Sequence, residues 1–255
     1  MLNQTWYNYI LIIYTNIITK VVVCGEITST AKINPEQLVR ERIKEIGYND
    51  EKKGLNYSTC DIIISLSQQS TEISNAIFKN KKEDEIGAGD QGMMFGYATD
   101  ETPELMPYTH LLASKLSEKL AEVRKNKVLN FLRPDGKTLV CMEYKTEDKS
   151  IIPVRVHSII VSAQHDPDIS MEELKASIME NVIKPVIPKE LLDSSTQYFI
   201  NPSGSFVTGG PEMDTGLSGK KLIVDTYGGW GSHGGKYNLF INRWFFQWKR
   251  LYKSW

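Results

Sequence analysis

Apolar positions along this chain recur with two rhythms, and their alternation predicts β-strands interleaved with amphipathic helices. Residues 21–27, VVVCGEI, form a β-branched run that predicts a strand. Glu26, near its end, is costly to bury there without a partner. Asn34 and Pro35 then supply a cap and a first-turn proline. Leu38, Val39, Ile43 and Ile46 give that helix its apolar stripe, and Gly47 ends it. A polar turn is expected over residues 50–56, followed by a second strand over 60–66. Gln68, Gln69 and Ser70 stand at the end of that strand. Residues 70–85 are polar with little periodicity, and they predict a mobile loop.

The second half repeats the theme. Leu111, Leu112, Leu116 and Leu120 stand at helical spacing within residues 103–125, with Lys and Glu between them. Residues 131–137, FLRPDGK, read as a turn, with Asp135 and Lys137 flanking Gly136. Strands are expected over 138–144 and 155–162, with Gln164, His165 and Asp166 following the second. Ser170 and Glu173 have capping-box spacing and open a helix over 170–182. Two glycine-rich stretches, 201–211 and 228–235, bracket Asp214 and the pair Lys220-Lys221. A basic pair between glycine loops suits phosphate.

Residues 1–19 receive no element. Their apolar run at 9–14 is too short to span a bilayer and is broken by Thr15 and Asn16. There is no basic start and no small-residue cleavage site, so secretion is not expected.

Composition narrows the function. The chain has 255 residues and a formal net charge of -1, which argues against a general nucleic-acid binder. Charged residues make up 24% and hydrophobic residues 41%, as in soluble globular proteins, and no membrane partner is expected. Three widely spaced cysteines, Cys24, Cys60 and Cys141, offer neither metal-ligand spacing nor a disulfide framework. They are expected to be small buried thiols in a reducing compartment, consistent with a cytoplasmic protein. His157 and His165 read as structural residues, because no acid-histidine cluster accompanies them.

The most informative stretch is residues 86–100, IGAGDQGMMFGYATD. Its Gly-x-Gly-x-x-Gly spacing invites a dinucleotide-fold reading, which needs a buried strand before the first glycine and an acid about twenty residues later. A charged run precedes it, and Thr109, His110 and Leu111 stand where the acid is needed. Spacing alone therefore favours a tight turn. Residue identity says more. The string GAGDQGMMFGYATDE closely resembles the adenosine-contacting signature of S-adenosylmethionine synthetases, also called methionine adenosyltransferases. The likeness continues in Gly25-Glu26-Ile27, in Gln68-Gln69-Ser70 and in Leu132-Arg133-Pro134-Asp135. It extends through Pro202-Ser203-Gly204, Gly209-Gly210-Pro211 and the run from Asp225 to Gly231.

That resemblance implies an α+β fold of pseudo-repeated sheet-and-helix domains, with the third repeat missing. The implied arrangement is an uncertain segment at 1–19, an incomplete N-terminal domain at 20–70 and a flexible active-site loop at 71–85. A central domain at 86–206, the start of a C-terminal domain at 207–235 and a non-family tail at 236–255 complete it. It also implies formation of S-adenosylmethionine from ATP and L-methionine, with release of phosphate and diphosphate. By residue match, Glu26, Gln69 and Asp214 would hold methionine. Asp90, Gln91, Asp135, Gly136, Lys137, Ser203, Phe206, Asp214, Lys220 and Lys221 would hold ATP. Lys137, Lys220 and Lys221 would act in catalysis by neutralising the triphosphate. Mg2+ and K+ would be cofactors, with no ligand assignable here, and the protein, if complete, would be a homo-oligomer, a dimer or a tetramer.

Departures matter too. The family's Gly-His-Pro-Asp-Lys and Gly-Ala-Phe-Ser-Gly-Lys-Asp motifs do not occur in the 255 residues. Ser205 and Lys220 stand where the family usually has Arg, and an ammonium lacks the planar fork of a guanidinium. The change after Gly235 suggests a truncated or mis-joined product. The alternative reading is a catalytically inactive fragment or homologue that pairs with a full-length subunit.

Overall fold

The computed structural model describes residues 10–14, 20–27, 31–68, 70, 72, 75, 79–86, 94–148, 150–214 and 221–233. They fall into two compact units, one built from residues before 94 together with 208–214, the other from 94–207 together with 221–233.

The first unit holds a three-stranded sheet in the order β1-β2-β5, from β1 (Ile10–Tyr14), β2 (Lys20–Ile27) and β5 (Asp61–Gln68). β1 runs antiparallel to β2, and β2 parallel to β5. Sequence pattern assigned no element to residues 10–14, which form β1 because they pair with the β-branched run from Val21 to Gly25. A parallel pair needs a crossover, which α1 (Pro35–Ile46) provides. Its ends form as their residues predict: Asn34 accepts the Gln37 N–H, and Gly47 closes the helix in the left-handed region at φ 110. Between α1 and β5, the expected polar turn closes into a small ladder of β3 (Asn49–Asp50) and β4 (Leu55–Asn56) around a 3-10 turn. Val21, Val23, Ile43, Leu55 and Cys60 are its buried core.

The second unit repeats that topology. β6 (Leu132–Glu147) pairs antiparallel with β7 (Ser150–His165), and β7 pairs parallel with β8 (Gln197–Ile200). Each unit is thus two antiparallel strands, a helical crossover and a third, parallel strand. α2 (Tyr108–Lys125) packs on β6, with Leu112, Leu116, Leu120 and Val123 buried. The Thr138 hydroxyl donates to the Ala113 carbonyl at 2.7 Å and ties the two elements together. The crossover is α3 (Met171–Ile178), continued by a π-helical turn (Met179–Ile183) and α4 (Lys184–Val186). Ser170 caps it by accepting the Glu173 N–H at 3.2 Å.

Four expectations need correction. The helix expected from residue 103 begins at Tyr108, because the Thr102 hydroxyl and the Met106 backbone bond each other and hold a preceding turn. Residues 131–137 are not a turn: β6 starts at Leu132 and pairs with His165, shifts register, and resumes at Gly136 opposite Ala163. The helix expected to end at residue 182 reaches Val186. Pro185 cannot donate to the carbonyl four residues back, and the turn before it widens to π pairing. Of the cysteines only Cys60 is buried; Cys24 is half-buried and Cys141 exposed. No described helix is long and apolar enough to cross a membrane.

Candidate functional site

The C-terminal end of β7 organises the candidate residues of the second unit. Gln164 and His165 are polar yet only 1% and 2% exposed. Their polar atoms therefore need partners. The Asp135 backbone N–H donates to Gln164 Oε1 at 3.4 Å, and Gln164 Nε2 donates to the Val207 carbonyl at 3.0 Å. His165 brackets Phe206: its N–H donates to the Phe206 carbonyl at 3.0 Å, and its Nε2 accepts the Phe206 N–H at 3.0 Å. With Nε2 accepting, the ring proton sits on Nδ1, 2.8 Å from the Asp166 carbonyl.

Two neighbours complete the frame. Arg133, 8% exposed, bonds Asp166 Oδ1 through Nε at 2.8 Å and the Val207 carbonyl through Nη1 at 2.9 Å. A buried guanidinium stripped of such partners would be strongly destabilising. Asn201 carries the chain out of β8 at a positive φ of 44, which asparagine tolerates better than most residues. Its side chain accepts the Ala163 N–H at 2.8 Å and donates to the Ala163 carbonyl at 3.0 Å, acting as one more rung of the ladder. The following turn leaves Ser203 exposed.

Of the expected ATP residues, Asp135, Gly136, Lys137, Ser203, Phe206 and Lys221 all lie in this unit. Asp135 is half-buried and held through Gln164, Gly136 pairs with Ala163, and Lys137 projects from β6 opposite Ser162, exposed. Lys221 is exposed, and its carbonyl accepts the Asp225 N–H of the short α5 (Leu222–Asp225). A small cavity of about 100 Å³ beside Asp135 is lined by Arg124, Arg133, Leu120 and Ala163 among others.

A second cluster anchors the chain after α5. Trp230 Nε1 donates to Thr109 Oγ1 at 3.1 Å, and its indole meets the Tyr144 ring edge-on at 5.0 Å. Tyr227 lies 5.9 Å from Tyr97, ring centre to ring centre.

In the first unit, Glu26 sits at the carboxyl end of β2, opposite Ser67 and one step before the Ile27–Gln68 pair. It is exposed, so the expected cost of burying an acid there does not arise. Asp214 is exposed and donates its N–H to the Gly210 carbonyl at 3.1 Å. Cys60 is buried, at 2% exposure. Burial pushes its thiol up, while Arg40 pulls it the other way. Gln69, Asp90, Gln91 and Lys220 lie outside the described residues.

Three family models match along the chain. S-adenosylmethionine synthetase, N-terminal domain, covers residues 10–71. S-adenosylmethionine synthetase, central domain, covers 85–206, and S-adenosylmethionine synthetase, C-terminal domain, covers 208–238. The chain belongs to the S-adenosylmethionine synthetase family.

As an S-adenosylmethionine synthetase chain, it carries the α+β fold expected of the family, and the third repeat is represented only by residues 208–238. The dinucleotide reading of the glycine spacing falls away with this match. The family depends on Mg2+ and K+, yet no group of three or more His, Cys, Asp or Glu among the described residues could hold a metal ion. The described donor set therefore does not fit a metal site, and no step below is routed through one. Residue patterns did not single out Gln164, His165 and Asn201 as a frame. The available signal was three polar residues at strand ends with an apolar strand before each.

Proposed function

We propose that this S-adenosylmethionine synthetase chain binds ATP and L-methionine and serves their joining to S-adenosylmethionine. In that reaction the methionine sulfur attacks C5′ of ATP. The S–C5′ bond forms as the C5′–O bond breaks, and the triphosphate leaves with the bonding electrons. Water then splits the triphosphate into phosphate and diphosphate. No protein nucleophile is needed, so the protein contributes alignment and stabilisation of the leaving charge.

The observation that carries this reading is the strand end at Gln164 and His165, which ties together two stretches that match the family's ATP motifs. Asp135 and Phe206 are the nucleotide-holding residues of those stretches, with Ser203 and Gly136 beside them. Lys137, Lys221 and Lys220 neutralise the triphosphate. Asp90 and Gln91 hold the adenosine part. Glu26, Gln69 and Asp214 take methionine, Glu26 from the carboxyl end of a parallel pair, where open α/β sheets commonly bind ligands.

A homo-oligomer is part of the proposal. Leu139 on β6, Ile160 on β7 and Phe199 on β8 stand side by side across the second unit's sheet. Leu139 and Phe199 remain 39% and 42% exposed. A second copy covering that row would bury it. Ser205 and Lys220, which stand where the family usually has Arg, favour a second reading, a non-catalytic chain that pairs with a full-length subunit.

The test uses the purified chain with labelled methionine, ATP, magnesium and potassium. Labelled S-adenosylmethionine supports the catalytic reading. ATP binding without product supports the non-catalytic one, and absence of both product and ATP binding rejects the proposal.

A further inference from the structure

The geometry points to His165 and Gln164 as positioning residues that set Asp135 and Phe206 in one frame for the nucleotide, an inference that rests on the ATP reading above. Three observations carry it. Both side chains are buried and polar, at 2% and 1% exposure. The Gln164 side chain bonds both of the stretches it joins, accepting the Asp135 N–H on one side and donating to the Val207 carbonyl on the other. His165 fixes Phe206 through both of that residue's backbone groups, so Phe206 cannot shift along the chain without breaking two bonds at once. Neither Gln164 nor His165 needs to touch a ligand. Their role is to hold in register residues that lie 29 positions (Asp135 from Gln164) and 41 positions (Phe206 from His165) away.

The two ring nitrogens of His165 have separable tasks. Nε2 accepts from Phe206, whereas Nδ1 meets the neighbouring Asp166 carbonyl. A Gln side chain reaches about as far as Nε2 and can accept there; an Asn side chain stops near Nδ1. A residue that merely fills space or satisfies Asp166 would be replaced as well by Asn. A residue that positions Phe206 would be replaced only by Gln.

The experiment titrates the full chain with ATP in magnesium buffer by calorimetry, with circular dichroism and a thermal melt for each variant. His165→Gln is expected to keep the ATP affinity of the unsubstituted chain. His165→Asn is expected to lose about tenfold or more, because the Phe206 N–H loses its acceptor and that residue is no longer held in place. Equal affinities in these two folded variants would overturn the inference. If His165→Asn does not fold, Gln164→Glu decides. It keeps an acceptor for Asp135 but sets a carboxylate against the Val207 carbonyl, so unchanged ATP affinity overturns the inference and weakened affinity upholds it. Asp135→Ala and Phe206→Ala separate this inference from the reading beneath it. If they weaken ATP binding while the His165 variants do not differ, positioning alone is wrong. If they too leave ATP binding unchanged, or the unsubstituted chain binds no ATP, the nucleotide reading falls and takes this inference with it.

Discussion

The Tyr144 hydroxyl donates to Glu101 Oε2 at 2.9 Å, joining β6 to the turn before α2. Burial raises the phenol pKa most, and the Glu101 carboxylate raises it further, above the usual value of 10.0. The folded value thus lies above the unfolded one. The associated stability is fully present below about pH 10 and falls as pH rises beyond it, because the unfolded chain loses this proton first. Tyr144→Phe should cost about 1.5 kcal/mol at neutral pH, the scale of a hydrogen bond to a charged acceptor. The gap between the two proteins should narrow in alkaline solution. Urea unfolding at neutral pH and at about pH 11 checks both statements. A constant gap would show that the phenol does not titrate as described.

Arg155 makes the complementary case at acid pH. Its Nε and Nη2 fork onto Asp193 at 2.5 and 2.8 Å, and its Nη1 reaches Glu143 at 2.9 Å. The guanidinium holds the Asp193 carboxyl down from 3.8 to about 2, against a smaller opposing effect of desolvation. A depressed folded value stabilises above the unfolded pKa, and that stabilisation is lost as pH falls from near 4 through 2. Carbon-detected NMR should place the Asp193 midpoint near 2 in the native chain. Arg155→Met should return it towards 3.8. A midpoint unmoved by that substitution would mean another group sets it.

Gly228 has φ +67, and a Cβ there would lie 3.0 Å from His110 Cβ. That atom is fixed to the α2 backbone and cannot swing aside. Gly228→Ala should therefore destabilise by about 1–3 kcal/mol, from strained backbone and close contact together. Thermal melting gives the measurement. Trp230 fluorescence would report whether the indole leaves Thr109, although four other tryptophans in the chain would have to be replaced first.

Local signals were legible and long-range ones were not. Asn34, Gly47 and the Ser170–Glu173 pair read correctly because a cap acts within four residues. Pro134-Asp135-Gly136 reads as a turn for the same local reason, yet these residues lie in β6. What overrides the local preference is pairing with Ala163 and a bond to Gln164, both remote in sequence. β8, whose four residues follow a polar stretch, carries too short a pattern to stand out; its partner β7 defines it. The candidate site shows the same division. Residue identity at family motifs pointed to Asp135, Lys137, Phe206 and Lys221. The frame that holds Asp135 and Phe206 leaves no local pattern, because its members are separated by tens of residues.

Lys137 and Lys221 provide the sharpest test of a phosphate role. Both side chains are exposed, and exposed substitutions away from caps and networks usually change stability by about 0.5 kcal/mol or less. Lys137→Ala and Lys221→Ala should therefore melt close to the unsubstituted chain. Each ammonium that meets a triphosphate oxygen makes a charge-assisted bond worth about 1.5–3 kcal/mol, or roughly ten- to a hundredfold in affinity. ATP binding should weaken by that factor in each variant. Adenosine binding should not change, since adenosine brings no phosphate for either lysine to meet. Lys137→Arg and Lys221→Arg should retain part of the ATP affinity by keeping the charge, while the wider, planar head fits less well. Competition calorimetry with ATP and adenosine on the same preparations makes the comparison. Equal losses for both ligands would point to damage to the fold. No loss for either would remove these lysines from the phosphate site and leave the triphosphate charge to other groups, Arg124 and Arg133 beside Asp135 among them.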